Sequence, residues 1–312
     1  LIEDKGADSV RYWASTSKLG TDTAFSEDVL KIGKKLVGKI FNASKFVAPH
    51  IEKVADAPAT AIDALEQGLI TETLDIAILS RLHNAIFNAT EAFEKFEYAD
   101  ARAAIEDFFW NDYCDNYLEL VKRRAYGQST VSSEQLADGG EHKSTHKLPT
   151  ANCQLSTDSA HLTLYTITNT ILRLFAPFVP HVTEEVFATL YANDYAKHGS
   201  VHARGMWPKQ NQYPINVDAE VEFDFCLELL EAVRKAKSEA SVSIKYPVDL
   251  FEIAPAKGVT FDLSIIKHFQ SDLCAAGNIS ELKVSDTLNN GTPTESGNLQ
   301  VKVTLAQKAQ QK

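Results

Sequence analysis

One stretch of the sequence concentrates residues that could recognise nucleic acid. Between Val29 and Ile51 the chain carries five lysines and no acidic residue, although its formal net charge is −11. Apolar residues recur there at helical spacing and predict one buried stripe: Ile32, Leu36, Ile40, Ala43 and Val47. One position earlier, residues with the same spacing predict a neighbouring flank of that helix: Lys31, Lys35, Lys39, Asn42 and Phe46.

This flank has the composition that suits an unpaired RNA loop. Lysines neutralise phosphates, an aromatic ring stacks on an unpaired base for about 1–3 kcal/mol, and an amide can both donate to and accept from a base edge. We therefore predict that the flank contacts RNA, and we add Lys45 to its predicted contacts. From periodicity alone, a solvated lysine face with Phe46 in the core is the simpler interpretation.

Residue patterns typical of catalysis are not found along the chain. There is no glycine-rich phosphate loop, and no HxxxH or HExxH metal spacing falls on a predicted helix. The acids Asp112, Asp115 and Glu119 could in principle include an acid–base pair, but helix-surface charges and buried hydrogen bonds explain them more simply. His181, between prolines and a helix start, is interpreted as a brace at a helix junction. We predict neither a catalytic nor a metal site.

Cysteine usage and charge restrict the environment and the partners. No two cysteines have CxxC spacing, so reduced thiols in a cytoplasmic protein are expected: Cys114, Cys153, Cys226 and Cys274. The acidic balance argues against bulk nucleic-acid binding, and we expect no DNA partner. No apolar run is long enough for a membrane span, so no membrane partner is expected.

Periodicity and breakers predict a mainly α protein: a helix bundle followed by a small α+β domain. We predict a junction at 1–22, a bundle at 23–210 with an exposed loop at 127–158, and an α+β unit, separate from the bundle, at 215–312. Predicted bundle helices cover 26–48 (ending at Pro49), 72–96, 99–126, 160–175 and a short helix from Thr183. The tail is predicted as helices 218–240 and 261–275 with strands 248–254, 279–284 and 299–305.

Several segments, in order, resemble the valyl-tRNA synthetase family of class I enzymes. They are GADSVRYW at 6–13, SKLGTD and FSE within 17–27, GKIFNASKFV at 38–47, FWNDYCDNYLE at 109–119, LRLFAPFVPHVTEE at 172–185, SVH at 200–202 and WP at 207–208. Each fragment alone is a weak signal, and their order across 6–208 carries the likeness. Beyond about residue 215 the resemblance is loose.

This resemblance implies a tRNA-binding carboxy-terminal part of an enzyme that uses ATP to attach valine to its tRNA. It implies that the helix at 28–48 approaches the anticodon, with Asn42 and Phe46 at positions that contact bases in relatives. Gly38 stands where the family usually has Asn, which puts an amide contact from that position in doubt. The HIGH and KMSKS motifs and the editing domain would precede residue 1. The expected partners are valine tRNA and that catalytic domain. This carboxy-terminal part is expected to need no cofactor and to be inactive by itself.

Two other interpretations remain open from the sequence. The same region of an isoleucyl or leucyl enzyme would share the bundle and differ in the anticodon it prefers. A free-standing helical module that binds RNA or protein would share the fold without any ligase activity.

Overall fold

The computed structural model describes residues 1–22, 24–52, 54, 57–127, 151–259 and 262–306, with the backbone alone at 151–153. Helices dominate these ranges, and a four-stranded sheet lies near their carboxyl end, which confirms the predicted mainly α class. The α-helices in chain order are α1 (Ile2–Lys5), α2 (Ala7–Ala14), α3 (Glu27–Ile51), α4 (Ala61–Glu66), α5 (Thr73–Glu94), α6 (Tyr98–Asp107), α7 (Leu118–Ala125), α8 (Ala151–Phe175), α9 (Pro180–Leu190), α10 (Ala192–His198), α11 (Val217–Glu239) and α12 (Gln270–Gly277).

Helix α3 begins where the sequence predicts and ends slightly later. The Ser26 side chain accepts a hydrogen bond from the backbone of Val29 at 3.4 Å, and two acids occupy the first turn, as suits a helix amino terminus. The predicted stop at Pro49 is wrong, because the helix continues through Pro49 to Ile51. Proline has a helix-compatible φ, so within this last turn it removes one hydrogen bond without ending the helix.

The stretch predicted as one helix at 99–126 contains a π-helical segment. This segment, Phe108–Tyr117, lies between α6 and α7 and inserts four of its five aromatic residues into the core, with Trp110 half-buried. Its wider turns keep successive large rings on the buried side of the bundle.

The predicted loop at 127–158 is wrong over its last part, because α8 begins at Ala151 rather than near residue 160. Contacts with the rest of the bundle hold these early turns: the backbone carbonyl of Ser156 accepts from Arg124 at 3.3 Å, and the Ser159 hydroxyl donates to Asp75 at 2.7 Å. Residues 128–150 lie outside the described residues. At the other end, α8 stops at Phe175 as predicted, and α9 starts at Pro180, three residues before the predicted Thr183.

The tail forms a small sheet covered by helices. Its strands are β1 (Val248–Pro255), β2 (Ile279–Val284), β3 (Thr292–Pro293) and β4 (Leu299–Leu305), in the order β2-β1-β4-β3. β1 pairs in parallel with β2 and antiparallel with β4. The crossover from β1 to β2 contains the short 3₁₀ stretch Leu263–His268 and α12, where one longer helix was predicted.

One hydrophobic cluster extends from the bundle into the tail. It includes Tyr12 and Leu36 near the amino end of the chain and Phe223 and Phe251 in the tail. Helix α11 packs along α5, and the Ser80 hydroxyl accepts a hydrogen bond from the backbone of Asn216 at 2.9 Å where α11 begins. The tail is therefore packed onto the bundle, while the three domain limits themselves stay predictions.

A buried ionic network also joins the two parts. Arg124 of α7 contacts Asp75 of α5 at 2.7 Å and Asp272 of α12 at 2.9 Å. Tyr117 and Ser159 donate their hydroxyls to Asp75, each at 2.7 Å. Burial raises the pKa of Asp272 to about 6, and the adjacent guanidinium opposes that rise.

Candidate nucleic-acid interface

The structure places the predicted contact residues on one flank of α3. Helical spacing of 100° per residue keeps them within about a third of the helix circumference. Most of their side chains are exposed: Lys31, Lys35, Asn42 and Lys45. Lys39 and Phe46 are half-buried. Asn42 is therefore available to a ligand, and the Phe46 ring lies partly in the core and partly at the surface.

The adjacent apolar stripe is buried with one exception. Leu36, Ile40, Ala43 and Val47 lie in the core, whereas Ile32 is 46% exposed, so its predicted burial is wrong. The first turns of α3 instead pack through Leu30 and Gly33. A Cβ added at Gly33 would lie 2.9 Å from the Cβ of Tyr12, so α2 approaches α3 too closely for any side chain there.

Acidic neighbours balance two of the flank's lysines. The Lys31 ammonium lies 2.8 Å from the Asp28 carboxylate, which lowers the pKa of Asp28 and raises that of Lys31. The Lys39 ammonium lies 3.2 Å from Asp115 and 5.3 Å from the centroid of the Trp110 ring. Among the residues described, Lys35 and Lys45 form no ion pair, so they are the cations most available to phosphates.

Phe46 belongs to a group of three rings, here called the ring cluster: Phe46, His50 and Tyr126. Ring centroids are 5.3 Å apart for Phe46 and His50, 6.1 Å for Phe46 and Tyr126, and 4.8 Å for His50 and Tyr126. His50 is buried and stacks on His161, with centroids 5.5 Å apart. The Lys122 ammonium lies 6.0 Å from the centre of the Phe46 ring. The cluster thus extends the α3 flank onto the end of α7.

Gly38 lies in the middle of the same flank. A Cβ added there would meet no heavy atom within 4 Å. A larger residue would therefore fit at this position, and nothing in the packing of the bundle requires glycine. The doubt about an amide contact at this position stands, because glycine has no side chain to make one.

The three acids considered for catalysis have structural partners. Asp112 pairs with Arg81, Asp115 with Lys39, and Glu119 with Lys122. Burial raises the pKa of Asp112, and the Arg81 guanidinium opposes the shift. These contacts agree with helix-surface charges and hydrogen bonds. In the described ranges, no three His, Cys, Asp or Glu side chains lie together as metal ligands would.

His181 does brace a helix junction, as predicted. The Asp8 carboxylate accepts from the backbone N–H groups of His181 at 3.1 Å and Val182 at 2.9 Å, and it contacts the His181 ring at 2.8 Å. A carboxylate at the first turn of α9 is well placed to stabilise that helix end. Arg11 adds a hydrogen bond to the Pro177 carbonyl at 2.9 Å.

Tyr12 fixes the same junction to the centre of the bundle. Its hydroxyl accepts from Arg102 at 2.9 Å, and the Arg102 guanidinium lies 4.8 Å from the centre of its ring. Burial raises the pKa of the Tyr12 hydroxyl to about 12, so it remains protonated near neutral pH. Helix α2, which carries Asp8, Arg11 and Tyr12, is therefore attached to the bundle at three points.

Sequence reasoning missed Tyr126 and Lys122 as neighbours of Phe46. They lie about 80 positions later in the chain, on a different helix, and no periodicity within α3 could indicate them. The only available signal was the basic end of α7, Lys122-Arg123-Arg124, followed by an aromatic residue.

The chain matches a known family model, that of the anticodon-binding domain of tRNA ligase, over residues 75–252, a range that begins after α3. The chain belongs to this family. Relatives along nearly its whole length are described as valine–tRNA ligases. One from Wolbachia sp. subsp. Brugia malayi is 36% identical over 98% of this chain, and one from Anaplasma marginale is 41% identical over 94%. The chain spans 31% of the length of each.

A weaker likeness exists to a solved structure, a LeuRS-tRNA-LeuAMS complex from Agrobacterium radiobacter. It covers 99% of this chain with a TM-score of 0.41 and 13% identity, too low for any inference. Across the part of the chain that the structure describes, no helix has the length and apolar character needed to span a bilayer.

Proposed function

We propose that this chain is the tRNA-binding part of a valine–tRNA ligase and that it binds the anticodon loop of valine tRNA through the α3 flank. The observation that carries the proposal is the exposure of Asn42 beside Lys35, Lys45 and the half-buried ring of Phe46, on a bundle of the anticodon-binding family. The names of the relatives support valine as the amino acid.

The flank supplies the three interactions that an unpaired loop needs. Lys35 and Lys45 are available to phosphates. Asn42 presents an amide that can read a base edge by donating and accepting at once. Phe46 presents part of a ring for stacking. Sequence-specific RNA recognition favours such loops, because their bases are not hidden in a helix.

The first experiment separates base reading from general surface effects. Asn42→Ala should weaken binding of valine tRNA to this chain by about 1–3 kcal/mol, the range for one bidentate amide–base contact. Asn88→Ala, an exposed asparagine on α5, is the matched control and should leave the Kd unchanged. Phe46→Ala should also weaken binding. Equal affinities for the parent, Asn42→Ala and Phe46→Ala would refute the assignment of the site.

A second experiment uses salt to test the lysines. Each phosphate contact to a single strand contributes about −0.7 to the slope of log K against log salt. Lys35→Ala should reduce the slope magnitude by roughly that amount, whereas Lys235→Ala, at an exposed position on α11, should not alter it. An unchanged slope for Lys35→Ala would place the phosphates elsewhere.

Competition between tRNAs tests the choice of amino acid. We expect valine tRNA to displace a labelled valine tRNA at lower concentration than tRNAs with isoleucine or leucine anticodons. A preference for the isoleucine anticodon would assign the chain to an isoleucyl enzyme. No preference among the three would favour a general RNA-binding module.

For the whole protein, we propose that ATP activates valine in a catalytic domain that this chain does not contain. The sequence has one methionine and no KMSKS or HIGH motif. The chain alone should therefore catalyse no valine-dependent exchange of pyrophosphate into ATP. Helix α2, attached to the bundle through Asp8 and Tyr12, would connect the bundle to that domain in a fixed orientation. We propose that the enzyme works in the cytoplasm.

A further inference from the structure

The most exposed ring next to the α3 flank is not Phe46. Tyr126, at the end of α7, is 57% exposed, whereas Phe46 is half-buried. Neighbours also surround the Phe46 ring: Lys122 lies 6.0 Å from its centre, and both His50 and Tyr126 approach it at steep angles. The largest face open to a base in the ring cluster therefore belongs to Tyr126.

The Tyr126 ring is held in place by two histidine rings, so that it can act as a rigid stacking surface, here called the platform. The buried ring of His50 contacts it at 4.8 Å between centroids in an edge-to-face arrangement at 82°. His161 stacks behind His50, and its Nε2 lies 2.8 Å from the Ala125 carbonyl, next to Tyr126 in the chain. Among the residues described, the Tyr126 hydroxyl has no hydrogen-bond partner, so it can serve a ligand.

The charge around the platform suits a nucleotide. Lys122 lies one turn before Tyr126 on α7, and its ammonium is 2.8 Å from Glu119. Lys45 and Asn42 lie on the neighbouring α3 flank, within one turn of Phe46. Aromatic faces beside cations and an amide are the arrangement used for unpaired bases, and stacking accepts any base.

We propose that Tyr126 is a stacking platform for a second unpaired base of the anticodon loop, distinct from the base that contacts Asn42 and Phe46. This inference rests on the proposed function and extends the site from one helix to two. The base stacks on the exposed face of Tyr126, and the hydroxyl hydrogen-bonds to the ribose or phosphate beside it. Lys45, which forms no ion pair among the described residues, is the cation available to a phosphate of the same nucleotide or its neighbour.

The test uses the valine anticodon stem-loop and the full 312-residue chain. Tyr126→Ala should raise the Kd between about five- and a hundredfold, the range expected for loss of one stacked base. Tyr126→Phe should retain most of the affinity. Phe87→Ala, which removes another exposed aromatic side chain on α5, should have no effect. Since Tyr126 is a surface residue, an unchanged melting temperature of Tyr126→Ala is the expected check on folding.

A series of stem-loops with one abasic nucleotide each then identifies the partner base. The abasic position that faces Tyr126 should weaken binding by the parent chain. It should not weaken binding by Tyr126→Ala any further, and independent sites would not show this non-additivity. A different position should couple to Phe46→Ala in the same way.

The outcomes separate the two proposals. If the parent chain fails to bind valine tRNA, the proposed function fails and the platform with it. If the parent binds but Tyr126→Ala binds equally well, or every abasic position is additive with it, the platform is refuted and the α3 flank stands. Coupling of Tyr126 and Phe46 to the same base would refute the claim of a second base.

Discussion

Replacing Arg124 should test how firmly the tail is joined to the bundle. Its guanidinium makes four hydrogen bonds to two buried carboxylates: Nη1 and Nη2 reach Asp75 at 2.9 and 2.7 Å, and Nε reaches both oxygens of Asp272 at 3.0 and 2.9 Å. A fifth, from Nη1, reaches the Ser156 carbonyl at 3.3 Å. Arg124→Met keeps much of the side-chain volume and removes all of these donors.

The expected cost follows from what remains in the core. Asp75 is fully buried and Asp272 is 5% exposed, so both carboxylates would lose their cation in a poorly solvated site. Removing one partner of a buried ion pair typically costs about 3–5 kcal/mol. A domain of ordinary stability has about 5–15 kcal/mol in total, so this variant should be close to the limit of folding.

Urea unfolding at pH 7.5 measures this free energy, and Arg204→Met is the matched control at an exposed arginine. We expect the control to remain within about 0.5 kcal/mol of the parent. The double variant Arg124→Met with Asp272→Asn should be less destabilised than the sum of its single changes, because it leaves one unpaired charge fewer.

The pH dependence of the unfolding free energy provides a second test of the Arg124 network. The pKa of Asp272 in the fold is about 6, above its ordinary value of 3.8, so its contribution to stability is fully present below about pH 3.8 and is lost as pH rises through 6. Without Arg124 this pKa should rise further, and the variant should recover stability between pH 7.5 and 5. The proposed role of Arg124 would be refuted if Arg124→Met lost less than about 1 kcal/mol of unfolding free energy at pH 7.5. It would also be refuted if this loss did not become smaller as the pH is lowered from 7.5 to 5.

Three further predictions concern stability elsewhere. Gly33→Ala should destabilise the chain because its Cβ would lie 2.9 Å from Tyr12. Gly38→Ala on the same helix should stabilise the chain by about 0.5–1 kcal/mol, because its Cβ would meet no heavy atom within 4 Å. Opposite shifts of the urea midpoint would confirm this pair of predictions, and equal shifts would contradict it. Lys237→Met should cost about 1–3 kcal/mol in the same assay, since the buried ammonium donates to the carbonyls of residues 244 and 277 at 2.8 and 2.7 Å. Asp8→Ala should cost about 1–2 kcal/mol by uncapping α9; hydrogen exchange should then quicken at the amides of residues 181 and 182, and unchanged protection there would contradict the capping role.

The start of α8 shows why some element boundaries escaped prediction. Residues 151–158 include Ser, Thr, Asn and Asp, which compete with helix formation through their own side chains. The helix extends through them where Ser156 and Ser159 contact Arg124 and Asp75. Those partners lie 32 and 84 positions away, outside any local window. Contacts distant in sequence therefore override local propensity at this point.

The α3 flank is the part that local sequence determined. A hydroxyl cap at Ser26, an apolar period through Leu36 and Ile40, and lysines one position earlier specify a helix and the face that it exposes, because helical geometry alone relates these positions. Tertiary structure decided what stands beside that face. Tyr126 reaches Phe46, and Arg124 reaches Asp75 and Asp272, only because the folded chain brings distant helices together, and no pattern within one helix carries that information.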